Sequence, residues 1–383
     1  MKQLESDRVG KIIKPAMGYE SFIPHSLYPD GPRNLKIDDE CLVLLSEATL
    51  ALGELKGITD FLPDPDLFIA FYVKKEALLS SQIEGTQCSL DEVLKVDEKT
   101  SEVKPVHEVV NYINAMNFGL ESLEKMPLSI RLINEIHLKL MDDVRGKEKN
   151  PGNFKKDKNW IGPAGCKPEE AYYVPPPPDM MNELMRDFEN YYHLEKKLPT
   201  LIEASLLHAH FETIHPYSDG NGRLGRLLIT FMLCQRRVLT KPLLYLSLFF
   251  KEHKAEYYSQ LMDVRFLGTW ENWIKFFLRG VRNTSNEATS TAREILAIQE
   301  RHRKQIRQEL PSYSLAIPCY EQLCHTPLIS IPTMAKYLDA SYPGVKAVFD
   351  RFLQLRIIFL TEEKKKNKLF RYDEYLDILK RGT

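Results

Sequence analysis

One segment of this sequence, HPYSDGNGRLGR at residues 215–226, combines residue types that can handle phosphate groups. Two glycines flank Asn221, and glycines allow backbone angles that aim several N–H groups into one concavity. The helix that we predict from Arg223 onward would add the positive end of its dipole at the same place. The segment therefore predicts an anion pocket at a helix N-terminus.

The charged side chains of this segment favour a nucleotide as the anion. Arg223 and Arg226 lie near one face of the predicted helix and can bracket a polyphosphate. An acidic residue such as Asp219 fits an anion pocket if it holds a divalent cation that bridges phosphate oxygens. Mg²⁺ is the usual cation with nucleotides. His215 can be neutral near pH 7 and can accept a proton from a hydroxyl. A His-Pro pair or a Gly-Asn-Gly turn alone is usually structural, but their combination in one segment favours chemistry.

The segment strongly resembles the signature of the Fic family, HxFx(D/E)GN(G/K)RxxR. The matching residues are His215, Asp219, Gly220, Asn221, Gly222, Arg223 and Arg226. Tyr217 stands where the family usually has Phe, a conservative change in which only the hydroxyl needs an added partner. The resemblance implies protein adenylylation. In that reaction His215 would deprotonate a Ser, Thr or Tyr hydroxyl of a target protein, and the oxygen would attack the α-phosphate of ATP and expel pyrophosphate.

The same resemblance implies a role for each further motif residue. Asp219 would hold Mg²⁺ between the α- and β-phosphates, and Asn221 would contact the α-phosphate. The backbone of Gly220–Gly222 would cradle the β-phosphate, while Arg223 would bind the phosphate tail and Arg226 the γ-phosphate. Removal of AMP from a modified protein, and transfer of another nucleotide or phosphate moiety, stay open. A DNA-binding regulator that only senses nucleotide is a further alternative, although it would need no base.

A second motif lies upstream in SSQIEG, residues 80–85, at the predicted end of a helix that Gly85 terminates. Ser80 and Glu84 are four residues apart and share one helix face. Alone they would be a surface pair, but the run resembles the Fic family's inhibitory motif, (S/T)xxxE(G/N). The resemblance implies that Glu84 pairs with Arg226 and takes the place of the γ-phosphate. ATP would then bind in a non-productive pose.

Two strand-like runs, residues 159–161 and 171–174, predict a β-hairpin that ends in the polyproline run 175–178. It could be a structural loop. It also resembles the flap of Fic-like enzymes, which pairs with the target protein by strand addition. Ile161 and Gly162 would then lie near the target-facing edge. Lys155 and Lys158 stand where the common pattern has Arg and Gln.

Helices must position these motifs, and apolar periodicity predicts most of them. The first would start at Ile37 after an extended arm, with an apolar stripe made up of Leu42, Leu45, Ala48, Leu52 and Leu55. Further helices are predicted over residues 65–83, 106–123, 129–141, from 179, over 201–214, over 223–237, and on to about residue 286. We expect a mainly α protein. It would comprise a helical N-terminal region (1–104) with the inhibitory helix and a Fic-type core with the flap (105–286).

The last part, residues 287–383, predicts a small α+β winged-helix domain. Thr333 would cap its first helix, residues 343–355 would form the recognition helix, and strands 357–360 and 369–372 would flank a lysine-rich wing at 362–368. DNA could bind through residues 333–371, with Lys346 or Arg351 in the groove. Protein docking is the stronger alternative, because acidic residues dilute the charge.

Composition sets the outer limits. The 383 residues are 43% hydrophobic and 27% charged with net charge −1, an ordinary globular mixture with no overall attraction for nucleic acid. Six scattered cysteines indicate reduced thiols rather than a zinc site or disulfide framework. No signal peptide or membrane span is evident, so we expect a cytoplasmic protein without a membrane partner. Self-modification and a homodimer stay open.

Overall fold

The computed structural model describes residues 8–14, 19–59, 61–62, 65–95, 104–142, 149–163, 165–195, 198–361 and 368–381. These residues form mainly helices, which confirms the predicted fold class, together with two small antiparallel sheets. Within the described ranges, no helix is both long and apolar enough to cross a bilayer.

The chain folds into two compact units, Met1–Gly53 with Tyr72–Ser285 and Glu54–Phe71 with Asn286–Thr383. The predicted domain boundaries at 104/105 and 286/287 stay a prediction. The elements that contribute to the first unit are β1 (Gly10–Ile13), β2 (Ser21–Pro24), α1 (Asp39–Thr59), α2 (Pro65–Ile83), α3 (Leu90–Lys95), α4 (Lys104–Leu123), α5 (Ile130–Leu140), α6 (Met181–His193), α7 (Thr200–Ile214), α8 (Asn221–Gln235), α9 (Ser247–Glu252), α10 (Lys254–Phe266) and α11 (Trp270–Glu309). Helices α1, α2 and α11 also contribute residues to the second unit.

Helix α1 begins two residues after the predicted start, and its buried face differs at one end from the prediction. Ala48, Leu52 and Leu55 are buried as expected, but Leu42 is 51% exposed and Cys41 is buried instead. At about 100° per residue, Leu42 falls on nearly the opposite side of the helix from Leu55, whereas Cys41 falls on the same side. The predicted apolar stripe therefore departs from the helical period of 3.6 residues in the first turn of α1.

Helix α7 is central to the first unit because it is buried on all sides from Leu201 to Ile214. It packs against α6, α8 and α10, and α8 packs also on α4 and α5. A helix that is buried all round is fixed by neighbours on every side. The loop of residues 215–220, which joins α7 to α8, is therefore anchored at both ends in the core.

The N-terminal arm is extended and lies on the segment that precedes the polyproline run. Strands β1 and β2 pair antiparallel, and the N–H of Phe22 in β2 donates to the carbonyl of Val174 at 3.0 Å. Phe22 also packs with Tyr173 and Phe266 in a buried aromatic cluster. The arm thus adds a strand and an apolar contact to this part of the chain.

The predicted hairpin of residues 159–175, called the flap below, forms only one antiparallel pair, Ile161 with Tyr173. The prediction of two strands is therefore wrong, because the two runs are joined by a single bridge. Proline has no N–H to donate, and Pro163 and Pro175 each lie two residues beyond the pair, so the ladder cannot extend. The N–H of Ile161 donates to the carbonyl of Tyr173 at 2.8 Å.

The second unit contains, besides its share of α11, the helices α12 (Ala316–His325), α13 (Ile331–Tyr337), α14 (Tyr342–Gln354) and α15 (Asp373–Lys380), and the strands β3 (Leu328–Ser330), β4 (Phe359–Leu360) and β5 (Leu369–Arg371). The sheet order is β3-β5-β4, with Phe370 of β5 opposite both Ile329 and Leu360. Two helices followed by an antiparallel pair is the predicted order. Strand β3 and helix α15 were not predicted.

One detail of this unit corrects the sequence analysis. Ser330, not Thr333, caps α13, because its side chain accepts the N–H of Thr333 at 3.3 Å. The predicted wing falls almost entirely on residues 362–367, outside the described residues. On α14, Lys346 pairs with Asp350 at 2.6 Å. The winged-helix assignment and its DNA or protein partner stay predictions.

Candidate nucleotide-binding and catalytic site

His215 follows the last residue of α7 in a left-handed backbone conformation, with φ 50° and ψ 61°. Its N–H donates to the carbonyl of Phe211 at 2.9 Å, which closes the helix. Left-handed angles cost a residue with a Cβ roughly 1–2 kcal/mol. The surrounding structure therefore holds His215 against its local preference, as often happens at functional sites.

His215 as a residue is partly exposed, Nδ1 of its imidazole is buried without a hydrogen-bond partner among the described residues, and the ring is neutral at pH 7. Desolvation lowers the pKa of His215 well below its usual range, and the cations Lys155 and Arg265 lower it further. A neutral imidazole that solvent or a substrate can reach can accept a hydroxyl proton. The predicted role as base stays a prediction, but its requirement on charge is met.

The loop after His215 is closed by the side chain of Asn221, the first residue of α8. Its Oδ1 accepts the N–H of Tyr217 at 2.9 Å, and its Nδ2 donates to the Tyr217 carbonyl at 2.8 Å. The hydroxyl of Tyr217 donates to Oδ1 of Asn134 at 2.6 Å, which is the partner that a Tyr needs at this position. Asn221 therefore shapes the loop; its contact with an α-phosphate stays a prediction.

His137 in α5 braces the same loop, and sequence reasoning missed it. Its ring stacks on Tyr217 with 3.8 Å between centroids. Its Nδ1 accepts the N–H of Gly152 at 2.9 Å, so its Nε2 carries the proton and donates to the Asp219 carbonyl at 3.0 Å. Burial lowers the pKa of His137 to about 4, which keeps this tautomer neutral. No local motif marks His137, because only the fold brings α5 to the loop.

Gly220 makes the final turn into α8 with φ 78°. A Cβ there would lie 2.8 Å from Sδ of Met141 and 3.2 Å from Nε2 of His137, so both the conformation and the space require glycine. The predicted start of α8 at Arg223 is wrong by two residues, because the helix begins at Asn221. Arg223 therefore lies inside the first turn, where the unpaired N–H groups of a helix N-terminus attract anions.

Arg223 is 3% exposed, and its guanidinium has spare hydrogen-bonding capacity. Its Nη2 approaches Sδ of Met141 at 3.4 Å, and carboxylate oxygens of Glu108 and Asp219 lie 4.0 Å away. Nε and Nη1 are buried without a hydrogen-bond partner among the described residues. Buried donors are normally paired, so unpaired donors beside a helix N-terminus suit an anionic ligand.

Asp219 presents a carboxylate at the mouth of the loop. Its Oδ1 accepts the N–H of Gly220 at 2.7 Å, and its Oδ2 lies 3.3 Å from Nζ of the half-exposed Lys149. Among the residues that the structure describes, no group of three His, Cys, Asp or Glu side chains could hold a metal by itself. Mg²⁺ commonly uses one or two carboxylates plus substrate phosphates, so the donor set fits a metal that arrives with a nucleotide.

Arg226 in α8 is held by the end of α2. Its Nε donates to Oγ of Ser80 at 2.8 Å, and its Nη2 donates to the Ser80 carbonyl at 2.9 Å and to Oε1 of Glu84 at 2.7 Å. Arg226 is 2% exposed, whereas the Glu84 side chain is 33% exposed. The structure thus brings together the residues of both predicted motifs.

The Glu84 carboxylate lies directly over the first turn of α8. A Cβ built on Gly222 would be 2.2 Å from Oε1 of Glu84, so any side chain at this position would push the carboxylate from its present place. Gly85 has φ 93° and turns the chain away immediately after Glu84. A negatively charged group of the chain itself therefore occupies part of the anion pocket. Whether it inhibits stays a prediction.

Two lysines that sequence reasoning missed hold the end of α2 in place. Nζ of Lys254 donates to the carbonyl of Ile83 at 2.7 Å, and Nζ of Lys251 donates to Oε1 of Gln82 at 2.7 Å. Cations at a helix C-terminus satisfy its free carbonyls and its dipole. They fix the turn from which Glu84 projects.

Two further buried carboxyl groups lie in the electrostatic field of Arg226. Burial raises the pKa of Glu76 to about 7, although Ser247 and Tyr112 donate hydrogen bonds to it. Burial also raises the pKa of Glu212 to about 7, and Arg226 opposes this rise. Burial lowers the pKa of Arg226, but the attraction of Glu84, Tyr257 and Glu212 together outweighs it, so that the pKa is raised. The guanidinium therefore stays charged.

Lys155, which precedes the flap, connects the flap to the loop of residues 215–220. The N–H of Lys155 donates to the Pro216 carbonyl at 2.9 Å, and its buried Nζ donates to Oδ1 of Asn159 at 2.8 Å. Asn159 in turn donates to the Tyr217 carbonyl at 3.2 Å. Burial lowers the pKa of Lys155 to about 7. Lys155 thus replaces the usual Arg with a contact of its own.

The two residues predicted at the target-facing edge differ in their surroundings. Ile161 is paired with Tyr173 and partly exposed, so one side of its backbone is already used. Gly162 is partly exposed, and a Cβ on it would lie 2.7 Å from Sγ of Cys166. Lys158 lies over the ring of Tyr19 in the N-terminal arm, with Nζ 5.0 Å from the centroid. The role of this edge in binding a target stays a prediction.

The candidate site is a loop between two buried helices, with a candidate base at one end and the Glu84 carboxylate over the first turn of α8. Residues 42–121 match the family model described as Fic/DOC family N-terminal, and residues 127–233 match that of the Fic/DOC family. These two regions of the chain are therefore Fic/DOC family domains. The second match contains the whole segment 215–226, and the first contains residues 80–85.

The sequence is 29% identical over 179 residues to a protein of Aquifex aeolicus (strain VF5) named "Probable protein adenylyltransferase", covering 45% of this chain and 51% of that protein. It is 29% identical over 157 residues to "Protein adenylyltransferase Fic" of Drosophila willistoni, covering 39% of this chain and 28% of that protein. The chain thus spans about half of the first relative and less of the second. The crystal structure of a Fic family protein from Desulfovibrio desulfuricans G20 has the same fold, with a TM-score of 0.59 at 20% identity, over 88% of this chain and 97% of that one.

Proposed function

We propose that this protein is an adenylyltransferase that moves AMP from ATP to a Ser, Thr or Tyr hydroxyl of a target protein or of itself. The observation that carries the proposal is that Nε and Nη1 of Arg223 are buried in the first turn of α8 without a hydrogen-bond partner among the described residues, while the same loop segment carries a neutral His215. An anion pocket and a base at its edge are what transfer of a phosphate group to a hydroxyl needs. The names of the two relatives support ATP as the donor.

In the proposed reaction His215 accepts the proton of the target hydroxyl as its oxygen bonds to the α-phosphorus. The bond between the α-phosphorus and the bridging oxygen breaks, and pyrophosphate leaves with the electron pair. Arg223 and the first N–H groups of α8 stabilise the charge on the phosphates. The helices that bury α7 and α8 keep base and pocket in register, so positioning supplies much of the rate.

Mg²⁺ would be held by Asp219 together with the phosphates. Oδ2 of Asp219 is now paired with Lys149, whose half-exposed side chain can move away and free this oxygen for the metal. When bound, the metal neutralises charge on the α- and β-phosphates and on the departing pyrophosphate. The N–H of Gly220 orients Asp219 by fixing Oδ1, the oxygen that lies 4.0 Å from Nη2 of Arg223.

We further propose that the enzyme is restrained by Glu84. Its carboxylate is bonded to Arg226 and lies over Gly222, where a terminal phosphate of the nucleotide would otherwise meet that arginine. Two negative groups cannot share one guanidinium at this distance without a large repulsion. ATP would therefore bind with its phosphate tail displaced until Glu84 moves away. The surface that binds the target protein would be the Ile161–Gly162 edge of the flap.

The position of a radioactive label tests the proposed chemistry. The Glu84→Gly protein is incubated with Mg²⁺ and with ATP labelled either at the α- or at the γ-phosphate, and protein-bound label is counted. Adenylylation predicts label from α-labelled ATP alone, and His215→Ala in the same background should remove it. Label from γ-labelled ATP would identify phosphoryl transfer instead, and persistence in His215→Ala would exclude His215 as the base.

A further inference from the structure

Arg265, near the end of α10, binds the last turn of α7 immediately before His215. Its Nη2 donates to the Glu212 carbonyl at 3.0 Å, and its Nε donates to Oγ1 of Thr213 at 3.3 Å. Arg265 is 4% exposed. An arginine fork that binds a free carbonyl at a helix C-terminus fixes that end and compensates its dipole. The position of the following residue, His215, depends on how firmly this turn is held.

The same guanidinium is stacked on a residue of the flap. Cζ of Arg265 lies 4.2 Å from the ring centroid of Tyr173, and the Tyr173 hydroxyl donates to the Thr213 carbonyl. Tyr173 is completely buried and forms the antiparallel pair with Ile161. Thr213 therefore receives hydrogen bonds from both side chains, one from α10 and one from the flap.

We infer that Arg265 and Tyr173 form a latch that holds the flap and His215 in a fixed relation. Arg265 would be a positioning residue, because it contacts the helix end and the flap rather than a reacting atom. If a target strand pairs along Ile161, the latch sets the distance from its hydroxyl to the base. The inference rests on the proposed function for this consequence, but the latch itself is a property of the fold.

A mispositioned base loses rate more than it loses nucleotide affinity, and this separates a latch from a general contribution to folding. In the full-length Glu84→Gly protein, Arg265→Met should lower kcat for AMP incorporation roughly ten- to a hundredfold and leave KM for ATP unchanged. Tyr173→Phe keeps the ring and loses only the hydroxyl bond to Thr213, so its loss of kcat should be smaller. Arg282→Met, which removes a surface arginine paired with Glu47, is the matched control and should keep the parental kcat.

The pH profile gives a second readout. Besides burial, the groups that act on the pKa of His215 are Lys155 from the segment before the flap, Arg265 from α10 and the backbone of Glu212 in α7. Both cations lower the pKa, so Arg265→Met should raise it and move the acidic limb of the rate to higher pH. Arg265→Lys keeps the charge but loses the planar fork and its stacking, so kcat should fall while the limb stays in place.

Hydrogen–deuterium exchange tests the latch without any activity. In Arg265→Met, the amides of Ile161 and His215 should both lose protection from exchange, whereas Arg282→Met should keep it. Arg265→Lys serves for the same measurement if Arg265→Met does not fold. Parental exchange at both amides with parental kcat in the Arg265 variants would overturn the inference. A Glu84→Gly protein that carries no label would instead refute the proposed function, and the exchange result would still decide the latch.

Discussion

Oε1 of Glu84 lies 2.7 Å from Nη2 of Arg226, and the two residues come from helices far apart in the sequence. The same arginine is bound by Ser80 from the preceding turn of α2. Arg226 is almost completely buried, so its charge needs this carboxylate or another anion of equal charge. An incoming nucleotide phosphate would compete for a guanidinium that already has a partner, which makes this ion pair the point of control in our account.

The left-handed backbone at His215 should make the variant His215→Gly more stable than the variant His215→Ala. Glycine adopts φ 50° without the steric cost of a Cβ, so His215→Gly should unfold with a free energy about 1 kcal/mol higher than His215→Ala. Both variants should fail to incorporate AMP in the Glu84→Gly background. Urea denaturation of the two variants side by side measures the difference. Equal stabilities would show that the left-handed turn carries no strain.

Glu212 should make stability depend on pH. Burial raises its pKa from 4.5 to about 7 in the folded protein, so its stabilising contribution is complete below pH 4.5 and is lost as the pH rises through about 7. A tenfold difference in proton affinity between the folded and the unfolded chain corresponds to about 1.4 kcal/mol of stability. Glu212→Gln cannot lose a proton and should therefore gain stability relative to the parent between pH 5 and pH 8.

Thermal midpoints of Glu212→Gln and the parent across this range provide the measurement, with Glu135→Gln in the surface pair with Arg131 as the control. A difference between Glu212→Gln and the parent that stays constant with pH would mean that the Glu212 carboxyl does not titrate on its own in this window.

Gly220 should tolerate no side chain. In Gly220→Ala the added Cβ would meet Sδ of Met141 at 2.8 Å and would have to adopt φ 78°, so we expect a loss of about 1–3 kcal/mol and of AMP incorporation. Gly57→Ala is the matched control, because this helical glycine has nothing within 4 Å of the added Cβ and alanine favours helices by about 1 kcal/mol. Opposite shifts of the two thermal midpoints are predicted. A harmless Gly220→Ala would contradict the assigned loop geometry.

Local patterns in the sequence predicted most of the helices, but not α3, α12 and α15. Residues 215–226 carry their own glycines, base and arginines, and the start of α8 was misplaced by only two residues. The contact of Glu84 with Arg226 came from the family resemblance, since spacing along the chain says nothing about it. The structure then supplied the distance and the bonds to Ser80.

Partners that depend on tertiary packing could not be found from the sequence. His137 lies in an amphipathic helix and Arg265 in a helix without a pronounced apolar face, and no local motif marks either residue as a support of the loop of residues 215–220. The prediction of two strands in the flap was wrong for a different reason. The residue pattern indicated strands, but Pro163 and Pro175 end the pairing after one bridge. The predicted stripe on α1 shows that the phase of a helix near its first turn is easily misjudged.

The rate of AMP incorporation in Glu84→Gly, compared with the unchanged protein at equal ATP and Mg²⁺, tests the central claim most directly. Removal of the carboxylate frees Arg226 for the nucleotide, so we predict a rise of about tenfold or more, equivalent to about 1.4 kcal/mol. Glu84→Gln keeps the shape without the charge and should lie between the two. Intact-protein mass spectrometry should show an added mass of AMP that accumulates fastest in Glu84→Gly. Equal rates in all three proteins would contradict the account.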